Sequence, residues 1–151
     1  MKRRMVLQSI LASVLGVHLQ AQAASPTIEV YKTPTCGCCH LWVAHLRSNG
    51  FTVNAHDVDD TTGYRKKFGV PEALASCHTG TVGGYALEGH VPAREIKRLL
   101  AERPKVKGLA VPAMVQGSPG MEGPRSDPYD VLAFSADGRY AVYQHYNGTS
   151  K

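Results

Sequence analysis

Between residues 27 and 58 the chain switches twice between two hydrophobic periods. Thr27-Ile28-Glu29-Val30-Tyr31 alternates apolar and polar positions and is rich in β-branched side chains, which predicts a strand. Leu41-Trp42-Val43-Ala44-His45-Leu46-Arg47 carries its apolar residues at helical spacing and is stopped by Asn49-Gly50. Residues 51–58 alternate again, so the three segments form a βαβ unit with parallel strands. Asp59-Asp60-Thr61 can cap a short helix that carries Tyr64 and Phe68 and ends at Gly69. After Val70-Pro71 and a helical turn over 72–75, residues 81–91 read as a hairpin turning at Gly83-Gly84. Pro92 then opens an amphipathic helix with Ala93, Ile96, Leu99 and Leu100 on one face, closed by Pro104. Residues 109–124 show no period and are rich in Gly and Pro. Two last runs, 131–134 and 139–143, flank Ala136-Asp137-Gly138 as a second hairpin. The polar end, 147–151, is expected to fray.

The N-terminus obeys other rules. Lys2-Arg3-Arg4 precedes a mostly apolar stretch from Met5 to Leu19, and Ala21-Gln22-Ala23 matches a small-x-small cleavage pattern. Residues 1–23 therefore read as a secretory signal peptide. The stretch is short and broken by Gln8, Ser9, Ser13 and His18, which argues against a membrane span. No later run is apolar enough to cross a bilayer, so the mature chain is expected to be periplasmic and without a membrane span. Residues 24–151 make one metal-binding domain, with 104–151 as an extension packed on it; that length buries a core without covalent staples. The formal net charge is +5, and three of those charges leave with the leader. No basic stripe is interleaved with aromatics, so nucleic acid is not an expected partner.

Three of the four cysteines fall in Cys36-Gly37-Cys38-Cys39, between the first strand and the first helix, with His40 directly behind them. Unpaired N–H groups and the positive end of the helix dipole favour thiolate at such a place. Cys36 and Cys39 have the C-x-x-C spacing of a redox pair. The element order β-α-β-α-β-β-α is thioredoxin-like, an α/β class, here with a C-terminal Gly/Pro loop and β-hairpin extension. Two departures from that pattern matter. Cys38 fills the slot that thioredoxins commonly give to proline, and Ser76-Cys77-His78-Thr79 stands where such folds keep a cis-proline facing the pair. With that topology, Cys77 projects towards the other three sulfurs.

Four converging sulfurs suit a soft metal. Cu(I) is favoured over zinc, because C-x-C-C plus one distant cysteine makes a poor zinc tetrahedron and because Met114 and Met121 add thioether candidates. His40 and His78 each follow a cysteine and can ligate metal or tune a thiolate. His45 reads as a surface residue, His56, His90 and His145 as structural, and Trp42 as core. Two rival readings stay open: a thiol–disulfide oxidoreductase working through Cys36 and Cys39, and a pair of structural disulfides in an exported chain.

The chain resembles the exported copper proteins of the CopG type. The resemblance is carried by Tyr31-Lys32-Thr33-Pro34-Thr35-Cys36-Gly37-Cys38-Cys39, by Cys77-His78-Thr79 and by Gly89-His90-Val91-Pro92. It continues in Gly108-Leu109-Ala110-Val111-Pro112 and in Gly117-Ser118-Pro119-Gly120-Met121-Glu122. It implies a thioredoxin-like fold, a periplasmic location and copper handling alongside other periplasmic copper-resistance proteins. It also implies that Cys36, Cys38, Cys39 and Cys77 ligate copper. Ala113 departs from the pattern, standing where Val-Pro-Gly-Met would have glycine. The expectation is a copper-binding protein of copper resistance or homeostasis with a thiolate-bridged Cu(I) site, and redox cycling as a further role.

Overall fold

The computed structural model describes residues 26–149; the leader expected over residues 1–23 lies outside them. The regular elements are β1 (Ile28–Lys32), α1 (Gly37–Ser48), β2 (Val53–Asp57), α2 (Thr62–Phe68), a 3-10 turn (Glu72–Leu74), β3 (His78–Val82) and β4 (Tyr85–Gly89). They continue with α3 (Ala93–Glu102), β5 (Gly108–Val111), β6 (Tyr129–Phe134) and β7 (Tyr140–Tyr146). The strands form one mixed sheet in the order β2-β1-β3-β4-β5-β6-β7. β1 runs parallel to β2 and β4 to β5, and the other neighbours are antiparallel. The fold is α/β, and up to α3 its elements follow the β-α-β-α-β-β-α order read from the sequence.

Strand alternation generates the layers. Leu87, Leu109, Val111 and Val131 face one side and pack with Trp42, Val43 and Leu46 of α1 and with Ile96 and Leu99 of α3. Their neighbours Ala86, Ala110, Leu132 and Phe134 face the other side and meet Phe68, Val70 and Leu74. A strand covered on both faces loses its polar positions and so its visible period.

That is why β5 corrects the reading of 109–124 as a loop. All four residues Gly108-Leu109-Ala110-Val111 are buried, and the irregular stretch starts only after them. Gly108 is required there, since a Cβ would run into the Ala86 backbone and lie 2.8 Å from the Phe134 ring.

The extension is thus continuous with the central sheet. Its hairpin is tied to α3 by buried Glu95, which accepts from the Tyr146 hydroxyl at 2.9 Å, and by Arg98, whose guanidinium lies 4.1 Å from the Tyr143 ring centroid. Two smaller expectations change. The Thr149 N–H donates to the Ser126 carbonyl at 3.0 Å, so the tail is held that far. His45 is half-buried, and its Nε2 accepts the Ala93 N–H at 3.1 Å, satisfying one of the donors that a helix start leaves without a partner.

Candidate metal site

The site is assembled at the ends of β1, β3 and β5, where the chain enters or leaves regular structure. β1 ends at Lys32, and a turn closed by the Cys36 N–H on the Thr33 carbonyl brings the chain to Cys36, the residue that precedes α1. Helical geometry then fixes the rest of this half. Cys39 is buried on the same face as Trp42, Val43 and Leu46, while Cys36 and Cys38 stay half-exposed. Trp42 anchors that face by donating its indole N–H to the Val91 carbonyl at 2.9 Å.

Cys36 and Cys39 are joined in a disulfide, with Cα atoms 5.3 Å apart, and Cys38 and Cys77 are free. Cys77 immediately precedes β3 and sits across from α1. Its sulfur and those of Cys36 and Cys38 all lie within 4.8 Å of one another, and Cys36 and Cys38 are 3.6 Å apart. Met114, in the loop after β5, closes the group: its thioether lies 3.2 Å from the Cys77 sulfur and 3.8 Å from that of Cys38. The Cys77 thiol is pushed up from its ordinary range by burial first and by Cys38 second.

The loop carrying Met114 and Met121 rests on the first turn of α1. Gly120 makes the closest approach: at φ +89° it sits where a Cβ would come 2.8 Å from the Cys38 carbonyl and 2.9 Å from the Trp42 nitrogen. Ala113, at the position where glycine was expected, adopts φ 62°. This is the left-handed conformation that glycine tolerates best. Met121 is half-buried in the turn from Gly117 to Met121, with its backbone hydrogen-bonded to Gly117 and Ser118. Among the described residues, its sulfur has no hydrogen-bond contact with a cysteine.

The two histidines behind cysteines part ways. His40 points out of the sulfur group, its Nε2 lying 3.1 Å from the Pro34 carbonyl and 3.3 Å from the Lys32 amine. His78 is fully buried between Trp42 and His90. Its Nε2 lies 2.8 Å from the Gly89 carbonyl, which can only accept, so Nε2 carries the proton and the Nδ1 lone pair faces the Cys39 sulfur at 3.3 Å. Burial, with His90 adding to it, pushes the His78 pKa down to about 3, and the ring is neutral at physiological pH.

Three residues that the sequence reading passed over hold Cys77 in place. Glu88 and Arg65 form a buried ion pair with Nε–Oε1 at 3.0 Å. The Ser76 N–H donates to the same Glu88 oxygen at 2.6 Å, and Arg65 donates to the Ser76 carbonyl at 2.7 Å. Glu88 had one visible signal, a carboxylate inside the otherwise apolar run Tyr85-Ala86-Leu87. Arg65, beside Lys66 and Lys67, looks like any solvated cation.

Fold and site together define an α/β protein with a sulfur-rich group at a strand-to-helix turn. Residues 74–121 match the family described as "Protein of unknown function, DUF411". A solved structure named "Copper resistance protein copG- Form 1" is 43% identical, with a TM-score of 0.77, over 82% of this chain and 99% of that one. A second, "Copper resistance protein copG- Form 2", is also 43% identical, with a TM-score of 0.76, over 81% of this chain and 98% of that one. A search of curated proteins returns no match. The chain belongs to the CopG family.

Proposed function

We propose that this chain is a periplasmic copper-binding protein of copper resistance, taking Cu(I) through Cys36, Cys38, Cys39 and Cys77 with Met114 as an added thioether. The observation that carries this reading is the position of Cys77, whose sulfur has come within 4.8 Å of those of Cys36 and Cys38. Metal–thiolate bonds of about 2.3 Å are of a length to let one ion be shared across such gaps. A donor set of thiolates and a thioether is soft, which favours Cu(I) over zinc. The names of the two similar structures point the same way. For the leader and export the support is the sequence pattern of residues 1–23; among the described residues no helix is long and apolar enough to cross a membrane.

Each residue has a part to play. Cys38 and Cys77 are free and half-exposed, so they offer the first thiols, and each releases its proton on ligation. Cys36 and Cys39 join the donor set once their disulfide is reduced. His78, neutral and with its proton fixed on Nε2, turns a lone pair towards Cys39 and can accept a hydrogen bond from its thiol there. The same pair supports a redox role: Cys36 and Cys39 can give two electrons to two Cu(II) substrate ions and two protons to solvent. The sulfur–sulfur bond then closes and two Cu(I) remain.

The deciding experiment is metal analysis of protein expressed in the periplasm and purified without oxygen, with and without Cys77→Ser. At least one equivalent of copper, lost in the variant, is expected. Stoichiometric zinc, or copper retained by Cys77→Ser, overturns the reading. The Cys36–Cys39 disulfide also supports a thiol–disulfide oxidoreductase. In that case Cys38→Ser and Cys77→Ser leave insulin reduction intact while Cys36→Ser abolishes it.

A further inference from the structure

Cys77 and Met114 are far apart in sequence, neither lies in a strand or helix, and yet their sulfurs are 3.2 Å apart. No sheet ladder or helix turn accounts for that distance, so other bonds must hold it. One residue touches both sides. Ser76 precedes Cys77, and its hydroxyl donates to the carbonyl of Ala113, the residue before Met114, at 2.9 Å. Its own backbone is fixed in both directions by the ion pair, the N–H by Glu88 at 2.6 Å and the carbonyl by Arg65 at 2.7 Å.

We infer that Ser76, clamped by the buried Arg65–Glu88 pair, is the positioning residue that sets the distance between the Cys77 thiol and the Met114 thioether, and so the site's affinity for Cu(I). This rests on the copper-binding reading above.

The clamp has the features that role requires. A hydrophobic pair of similar size could fill the space that Arg65 and Glu88 occupy, often with no loss of stability. It could not present an acceptor and a donor to the two backbone groups of one residue. Arg65 is itself fixed by a bond to the Thr61 hydroxyl at 3.1 Å, so the guanidinium has little freedom to follow a moving loop. Ser76 is also seated against bare backbone: a Cβ on Gly89, at φ +67°, would lie 2.9 Å from the Ser76 hydroxyl and 3.0 Å from its Cβ. Ala113 holds a left-handed conformation at φ 62° that an alanine does not adopt unaided. Its carbonyl is the atom that the Ser76 hydroxyl engages. The loop conformation that aims Met114 at Cys77 is thus stabilised from across the site.

The test is Cu(I) affinity, measured by competition with a chromophoric Cu(I) chelator on the full mature chain, together with melting temperature. Ser76→Ala removes the hydroxyl and keeps both backbone bonds. It is expected to weaken Cu(I) binding by about tenfold, the lower end for residues that orient metal ligands, with little change in melting temperature. Ser76→Thr, which keeps a hydroxyl, is expected to restore most of the loss. Met114→Ala should cost a similar factor, and Ser76→Ala combined with Met114→Ala should cost little more than either alone, because Ser76 acts through Met114. Glu88→Gln, which retains an acceptor for the Ser76 N–H, gives a second route to the same readout and is expected to weaken Cu(I) binding less than Ser76→Ala. Wild-type affinity in Ser76→Ala, or losses that multiply in the double variant, overturns the inference. A wild-type chain that binds no Cu(I) overturns instead the function on which it rests.

Discussion

The two halves of the sulfur group are held by different physics. Cys36 precedes α1 and Cys38 and Cys39 ride on its first turn, and that helix is fixed by its apolar face: Trp42, Val43 and Leu46 are buried in the main core. Cys77 and Met114 belong to stretches with no regular structure and are held by polar groups, the Arg65–Glu88 pair and the Ser76 hydroxyl. Packing fixes one half in the way it fixes any helix. Directional hydrogen bonds fix the other, where Cys77 and Met114 stand outside the ends of β3 and β5.

The largest effects should separate the halves by mechanism. Trp42→Ala removes a fully buried side chain and leaves the Val91 carbonyl without its donor. A loss of about 3–5 kcal/mol is expected in denaturant melts of the metal-free protein. Glu88→Ala strands the Arg65 cation in the interior and should also cost about 3–5 kcal/mol. Here the comparison can be broken. The double replacement Arg65→Met with Glu88→Leu is expected to recover most of that stability, yet to leave Cu(I) binding weakened. If it restores affinity as well, the second half is held by packing after all.

An intermediate effect is expected where the halves meet. Gly120→Ala adds a methyl against the backbone of Cys38 and Trp42 at a left-handed position. It should cost about 1–3 kcal/mol, measured by thermal melts.

The smallest effect per step is acid sensitivity. His78 titrates at about 3 when folded against an ordinary 6.5, so the unfolded chain binds this proton first. The stability that depends on the neutral ring is whole above pH 6.5 and declines as pH falls towards 3, by roughly 1.4 kcal/mol per unit. Burial lowers His90 in the same direction. Urea midpoints of the metal-free protein at pH 6.5 and 5 should differ accordingly, and the slope should flatten in His78→Leu.

The same division explains what could be read from the sequence. The strand Ile28–Lys32, helix Gly37–Ser48 and hairpin Tyr129–Tyr146 announce themselves because one face of each meets water or a layer boundary, leaving a period in the letters. β5 left none, being covered on both sides. The C-x-C-C cluster is local and was legible at once. The arrival of Cys77 followed from topology, since β3 pairs antiparallel with β1 and its first residue, His78, lies opposite Lys32, close to the start of α1. Met114 was a candidate by chemistry alone, and the structure separates it from Met121. Of the Arg65–Glu88 clamp only the carboxylate, set in an apolar run, left a trace; Arg65 looks in sequence like a cation of a solvated face.

The unequal burial of the bridged cysteines gives the disulfide a direction. Cys39 is sealed beneath the helix and backed by His78, whereas Cys36 still meets solvent. A thiol reductant added in solution is therefore expected to attack the Cys36 sulfur and to expel that of Cys39. A mixed disulfide trapped midway through reduction should then carry its adduct on Cys36, a mass that peptide mapping would read directly.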